Sequence, residues 1–329
     1  MIEAILSLGG LGVLAAFGLG VASKKFAVKV DPKQEAILEA LPGANCGGCG
    51  FPGCSGMAEA MVKGSAPISG CPVGGGETAG VIAKILGVEA ETRDPVVARL
   101  LCKGGHAAAK EKYTYHGVSD CRAAALVAGG SKACGYGCLG FGTCMRACPF
   151  DAITMSPDGL PVIDESKCTS CGNCVAACPK KIIQLLPIHK KVTVLCSSHD
   201  KGAAVKKICT VGCIGCSLCK KVCPFEAIEM DRFLARVIPE KCRQCGLCVA
   251  KCPTKVIEDQ LAGLHPLAVI GEKCDGCTEC VKVCPVKAIT GETGKLHVVD
   301  PEKCVGCRAC VDVCPIDVIE MEPRAKVSR

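Results

Sequence analysis

The chain has 329 residues, enough for two or three domains, with 32 cysteines, only 3% aromatic residues and a formal net charge of +7. Cysteines in tight C-x2-C runs join distant segments poorly, so this density disfavours a disulfide scaffold and favours metal binding in a reducing compartment. Deprotonated metal ligands would cancel the formal positive charge, so we predict no nucleic-acid binding.

The first predicted element is a membrane anchor over residues 1–25. Residues 4–22 carry no charged side chain, which approaches the ~20 apolar residues of a transmembrane helix. Gly12, Ala16 and Gly20 would form a smooth face for another such helix. The lysines that follow place the bulk of the chain on the cytoplasmic side of a cell inner membrane. A cleaved signal peptide and a buried soluble helix are the alternatives, but no basic region precedes the apolar run and no clear cleavage site follows it.

A small, mainly helical domain is predicted over residues 31–95. Asp31 can cap a helix that begins at Pro32 and ends before Pro42. The stretch "ANCGGCGFPGCSGMAEA" follows, and a helical pattern resumes around residues 55–63. Its cysteines have the spacing C-x2-C-x4-C-x16-C, with the last one beyond a helix, and form a candidate cradle for one 4Fe–4S cluster. They are Cys46, Cys49, Cys54 and Cys71.

From about residue 133 the sequence repeats itself with a period of about 30 residues. Six cysteine runs close with Cys-Pro and a short apolar segment, and strands such as "ARVIPEKC" enter them. A strand, a cluster loop, a helical turn and a return strand make half of a two-cluster ferredoxin. The predicted fold class is therefore α+β, with three tandem ferredoxin-like modules at residues 96–190, 191–262 and 263–329, the first with a leading hairpin. Zinc ribbons are the alternative, but zinc sites usually show two separated C-x2-C pairs or Cys/His mixtures.

Each module is predicted to hold two clusters with crossed ligands, because the fourth cysteine of a run binds the cluster of the other run. The first module offers Cys134, Cys138, Cys144 and Cys178, and then Cys168, Cys171, Cys174 and Cys148. The second module offers Cys213, Cys216, Cys219 and Cys252, and then Cys242, Cys245, Cys248 and Cys223. The third module offers Cys274, Cys277, Cys280 and Cys314, and then Cys304, Cys307, Cys310 and Cys284. The run at 134–148 is stretched, and its glycines give the longer loop its freedom.

Seven such sets use 28 of the 32 cysteines. The remaining four are Cys102, Cys121, Cys196 and Cys209. Four thiolates match the ligand number of one more cubane, and "VVARLLCKGG" resembles "KVTVLCSSHD" as an apolar strand that ends in Leu-Cys. These four cysteines therefore predict an eighth cluster, so the chain would carry seven or eight 4Fe–4S clusters. Four buried free thiols are the alternative, because unpaired cysteine is among the most buried residue types.

No other chemistry is predicted on this chain. Three glycine-rich matches to the dinucleotide pattern lie among proposed cluster ligands or in the apolar N-terminal segment, and none joins a strand to a helix. The six histidines are scattered without ligand-like spacing. We find no paired carboxylates and no nucleophile–base pattern, so we expect no complete active site.

The order of an N-terminal anchor, the "CGGCGFPGC" cradle and ferredoxin repeats resembles the B subunit of Rnf-type complexes. Those complexes are membrane-bound ferredoxin:NAD⁺ oxidoreductases that couple electron flow to ion pumping. The resemblance covers nearly the whole chain and matches the longer family members. It implies an electron-transfer subunit of a translocase-type oxidoreductase, which takes electrons from soluble reduced ferredoxin and relays them to membrane partner subunits. Flavin, NAD⁺ and the ion path would then belong to partner chains.

A second function class stays open, namely a self-standing polyferredoxin that carries electrons for a hydrogenase or a corrinoid protein. The first cradle also resembles one in corrinoid iron–sulfur proteins. Fractionation separates the two classes, because a carrier would be soluble whereas an Rnf subunit would sediment with membranes and integral partners.

Overall fold

The computed structural model of the chain describes residues 2–25, 31–89 and 94–324, and of residues 2–8 and 11 the backbone alone. Two compact units divide the chain, residues 1–93 and 94–329. Lys29, one of the lysines that follow the apolar run, lies outside the described residues.

The first unit opens with α1 (Ile2–Lys25). The apolar run therefore forms a helix, but its predicted transmembrane role is not supported. Among the residues whose side chains are described, no helix is long and apolar enough to cross a membrane. Part of the predicted span, residues 4–8 and 11, falls outside those side chains.

Three further helices form a small core in the first unit: α2 (Pro32–Ala40), α3 (Gly53–Val62) and α4 (Gly75–Leu86). The Asp31 carboxylate caps α2 by accepting a hydrogen bond from Lys33 N at 2.8 Å. A short 3₁₀ turn, Ile68–Gly70, precedes α4. The core is built on Ile37, Met57 and Ile82, each at most 1% exposed.

The second unit repeats one antiparallel strand pattern three times. In each repeat the first strand pairs with the last, and the two middle strands pair with each other. The first repeat contains β1 (Val96–Leu100), β2 (Ile153–Met155), β3 (Pro161–Ile163) and β4 (Ile183–Pro187). The second contains β5 (Val192–Val194), β6 (Ile228–Asp231), β7 (Leu234–Val237) and β8 (Ile257–Asp259). The third contains β9 (Leu267–Ile270), β10 (Ile289–Thr290), β11 (Val298–Val299) and β12 (Ile319–Glu322).

A short helix follows the first cysteines of each run. These helices are α6 (Thr143–Arg146), α7 (Asn173–Ala177), α9 (Leu218–Val222), α10 (Leu247–Lys251), α11 (Glu279–Val283) and α12 (Ala309–Asp312). Each is preceded by a residue of positive φ, such as Gly142 at 67° and Gly246 at 68°. The proline that follows each run cannot continue a helix, so the chain turns into the return strand. Cysteines pack into the core of each repeat beside aliphatic side chains.

Two segments interrupt this pattern between the first strand of a repeat and its first cysteine run. We call residues 101–133 the first insertion and residues 195–212 the second insertion; they contain α5 (Cys121–Leu126) and α8 (Gly202–Ile208). They meet in a β-bridge between Ala109 and Cys209. Strand β1 pairs with β4 at the far end of its repeat rather than with the segment that follows it.

Candidate metal centres

The first unit gathers its four predicted ligands. Cys46, Cys49, Cys54 and Cys71 line one small cavity. Asn45 Oδ1 accepts a hydrogen bond from Cys54 N at 2.8 Å, and Gly74 N donates to Cys71 Sγ at 3.4 Å. A Cβ on Gly53, whose φ is +85°, would lie 2.8 Å from that Asn45 oxygen. The glycine is therefore needed for the loop to close around the cavity.

Two cavities in the second unit are each lined by four cysteines, three from one run and one from the other run of the same repeat. In the first repeat they are Cys168, Cys171, Cys174 and Cys148. In the second repeat they are Cys213, Cys216, Cys219 and Cys252. The structure thus brings together two of the crossed sets predicted from the sequence.

The other second-repeat and third-repeat cysteines also lie near thiols of the neighbouring run. Burial and nearby thiols, among them Cys219 and Cys223, raise the pKa of Cys248 to about 12. Burial raises the pKa of Cys307, with a smaller contribution from Cys284. The two runs of each repeat therefore approach one another. Cys314 packs in the same core as Cys280, a member of its predicted set.

In the stretched run, Cys144 lies beside a cysteine from outside the run. Burial raises the pKa of Cys144 to about 11, and the next contributions come from Cys121 and Cys178 rather than from Cys134. Cys121 begins α5, and its N–H donates to Thr143 Oγ1 at 2.7 Å, which holds it beside Cys144. The first insertion therefore places the thiol of Cys121 beside the stretched run.

Cys134 lies elsewhere. It lines a small cavity with three of the four spare cysteines, namely Cys102, Cys196 and Cys209. Cys121 is absent from this lining. Two insertions that are distant in sequence build the cavity, so spacing could not reveal its ligands.

These groups fit 4Fe–4S clusters better than single ions. Among the described residues, no group of three or more His, Cys, Asp or Glu side chains is close enough to hold one metal ion. In a cubane each thiolate binds a different iron, so the ligands surround a space. Each of the four cavities supplies such a space with four thiols, and backbone N–H groups point at several of the sulfurs. A wider cleft lined by Lys180, Glu229 and Arg236 contains one cysteine and does not form such a set.

One histidine contacts a candidate ligand, although its sequence spacing gave no sign of it. His297 is 2% exposed, and its Nδ1 lies 3.3 Å from Cys274 Sγ. With the thiolate bound to iron, Nδ1–H is the donor in this contact. Hydrogen bonds to cluster sulfurs tune the reduction potential.

Family models match most of the cysteine-rich sequence. A model described as "Putative Fe-S cluster" matches residues 41–73. Two models described as "4Fe-4S dicluster domain" match residues 133–182 and 212–256, and residues 268–321. The four spare cysteines lie outside all of these ranges.

Three curated proteins are similar over most of this chain. The B subunit of the ion-translocating oxidoreductase complex of Methanosarcina acetivorans is 48% identical over 78% of this chain and 98% of that protein. The B subunit of the Na(+)-translocating ferredoxin:NAD(+) oxidoreductase complex of Acetobacterium woodii is 46% identical over 72% of this chain and 71% of that protein. Its counterpart in the proton-translocating ferredoxin:NAD(+) oxidoreductase complex of Clostridium ljungdahlii is 44% identical over 70% of this chain and 82% of that protein.

Proposed function

This chain belongs to the family of B subunits of Rnf-type, ion-translocating ferredoxin:NAD⁺ oxidoreductase complexes, and from this premise we propose that it is the electron relay of such a complex. It accepts electrons from reduced ferredoxin and passes them through 4Fe–4S clusters to membrane partner subunits. Nucleotide, flavin and ion chemistry belong to the partner chains, and this chain has no complete active site.

The observation that carries the proposal is the recurrence of one kind of site. Each of four cavities is lined by four cysteines. When bound, a 4Fe–4S cluster supplies reversible one-electron transfer. The chain contributes the thiolates, the N–H donors to sulfur, and aliphatic side chains such as Ile228 and Ile257 that keep water out of the core.

Adjacent sets lie close enough to form a series. In the first repeat the pKa of Cys174 is raised by burial first and also by Cys144 of the neighbouring set. Burial raises the pKa of Cys245, and Cys307 of the third repeat raises it further. An ion pair of 2.6 Å between Arg243 and Asp312 joins the same two repeats. These contacts support a route that continues from the second repeat to the third.

The proposal includes attachment to the cell inner membrane through α1, with the bulk of the chain in the cytoplasm. The helix exposes Val13, Leu14, Phe17 and Leu19 by 70–72% each, and apolar side chains so exposed favour burial against lipid or a partner helix. Two lysines, Lys24 and Lys25, follow at its end.

The relay is tested in the purified membrane complex. Replacing one cluster ligand, as in Cys307→Ala, should abolish ferredoxin-dependent NAD⁺ reduction while the partner subunits still oxidise NADH with an artificial acceptor. Wild-type rates in a complex shown to lack that cluster would refute the relay.

The attachment is tested with a chain that starts at Asp31. It should stay iron-loaded but no longer sediment with membranes or integral partners, whereas the full-length chain does both. Recovery of the shortened chain in an active complex would refute the attachment. A soluble full-length chain that reduces a hydrogenase or corrinoid protein would instead indicate the carrier function.

A further inference from the structure

The junction of the first and second repeats contains the cavity lined by Cys102, Cys134, Cys196 and Cys209. Cys102 follows β1, Cys134 begins the stretched run, and the other two belong to the second insertion. Backbone hydrogen bonds hold the insertions together, with Lys110 N donating to Ile208 O at 2.8 Å and Thr210 N donating to Ala108 O at 2.9 Å. Both walls of the cavity are therefore fixed by regular backbone contacts.

The sulfurs converge on this space. A Cβ placed on Gly104 would lie 3.3 Å from Cys209 Sγ and 3.9 Å from Cys102 Sγ, so both sulfurs approach the same glycine. Cys134 and Cys196 line the same space from the stretched run and from the second insertion. All four side chains thus belong to one group.

Each side of the group receives an N–H donor from a ligand of the adjoining set. Cys138 N donates to Cys102 Sγ at 3.5 Å, and Cys213 N donates to Cys196 Sγ at 3.4 Å. Ser198 N also donates to Cys196 Sγ, at 3.5 Å. Such donors stabilise thiolates bound to iron. The group is therefore in direct contact with a ligand of the first-repeat set, Cys138, and with a ligand of the second-repeat set, Cys213.

A buried cation lies beside the same cavity. Lys132 is 1% exposed, and its ammonium donates to the carbonyl oxygen of Gly104, which lines the cavity. In the described part of the chain it forms no ion pair with a carboxylate. A buried charge is costly unless an opposite charge lies near it. A cubane held by four thiolates carries a charge of about −2 and would supply that charge.

From these contacts we infer that Cys102, Cys134, Cys196 and Cys209 hold an eighth 4Fe–4S cluster that joins the first and second repeats. Cys121, which the hydrogen bond to Thr143 holds beside Cys144, then takes the place of Cys134 in the first-repeat set with Cys138, Cys144 and Cys178. One electron enters from the set on one side and the same electron leaves to the set on the other, so no further reactant is consumed. The inference rests on the proposed iron–sulfur function.

Iron content of the reconstituted full-length chain tests the ligand set. Cys102→Ala and Cys209→Ala should each lose about four irons. The double variant Cys102→Ala/Cys134→Ala should lose no more than either single variant, because both residues serve one cluster. The double variant Cys102→Ala/Cys121→Ala should lose about eight. Thr210→Ala, beside Cys209, is the matched control and should keep all its iron.

The opposite pattern would be a loss of about eight irons from Cys102→Ala/Cys134→Ala and about four from Cys102→Ala/Cys121→Ala. It would show that Cys121 rather than Cys134 binds the eighth cluster, and it would overturn the inference. If Cys102→Ala and Cys209→Ala keep all their iron, or lose zinc instead of iron, these cysteines do not hold a 4Fe–4S cluster and the inference is wrong.

The wild-type chain gives a test that does not depend on how variants fold. Native mass spectrometry in mild detergent should show eight cubanes, or about 32 irons, per chain. A fully loaded species with seven would overturn the inference. Because neither measurement uses electron transfer, an inactive relay in the complex would leave both results standing, so the two failures are distinguishable.

Discussion

The first and third repeats share their strand pairing but use their cysteines differently. In the third repeat, residues 271–273 alone separate β9 from Cys274. In the first repeat, residues 101–133 separate β1 from Cys134. The short link presents the third-repeat run directly to its own core, whereas the long insertion places Cys121 beside the stretched run and leaves Cys134 at another cavity. The second repeat also carries an insertion, yet its first run lines a cavity with the set that its spacing predicts. What an insertion contributes to a site therefore depends on where its own cysteines lie.

The largest expected effect concerns crossed ligation, in which the fourth cysteine of each run binds the cluster of the other run. Both repeats should share it. Cys284→Ala/Cys307→Ala should lose about four irons, because both cysteines serve one cluster. Cys284→Ala/Cys277→Ala should lose about eight, because these neighbours in one run serve different clusters. Iron and protein assays on the reconstituted chain measure both values.

The same design in the first repeat is the control for this prediction. There Cys148→Ala/Cys171→Ala should lose about four irons, since the structure places both cysteines on one cavity. The reverse result, about eight irons lost from Cys284→Ala/Cys307→Ala and about four from Cys284→Ala/Cys277→Ala, would mean that each third-repeat run binds its own cluster. The third repeat would then differ from the first in its ligation.

Sequence reasoning succeeded where ligands are local. The cradle at residues 46–71 and the sets on two further cavities follow from C-x2-C spacing and from the crossed fourth ligand. It could not place Cys121 and Cys134, because their positions depend on how α5 packs on α6 and on how two insertions meet. The count of spare cysteines indicated one more site, but a count cannot say which thiol faces it.

A smaller effect distinguishes the third repeat through His297. The Nδ1–H bond to Cys274 Sγ stabilises the reduced, more negative cluster. His297→Leu removes this donor with little change in volume. A hydrogen bond worth about 0.5–1.5 kcal/mol corresponds to about 20–60 mV for one electron, so the potential of that cluster should fall by this amount.

Redox titration followed by electron paramagnetic resonance measures the shift, with the other clusters as internal references. Leu296→Ala, at an exposed neighbouring position, should leave every potential unchanged. An unchanged potential in His297→Leu would show that the contact does not tune the cluster.

The smallest effect concerns Asp120, which has its role only in the first repeat. Its carboxylate accepts hydrogen bonds from Arg122 N at 2.7 Å and from Thr143 Oγ1 at 2.9 Å, and so holds α5 and Cys121 beside α6. The Thr143 hydroxyl and the backbone donors lower the pKa of Asp120.

Because the pKa of Asp120 is lower in the folded than in the unfolded chain, its stabilisation is full above the unfolded pKa and is lost as pH falls through the folded pKa. Acid should therefore weaken the contact that holds Cys121 beside α6. Asp120→Ala should lose the cluster at Cys121 already at neutral pH, measured as bleaching of visible absorbance. Asp317→Ala in the third repeat should not bleach at neutral pH. Equal bleaching in the two variants would show that the insertion does not depend on this cap, and that Cys121 is held by packing alone.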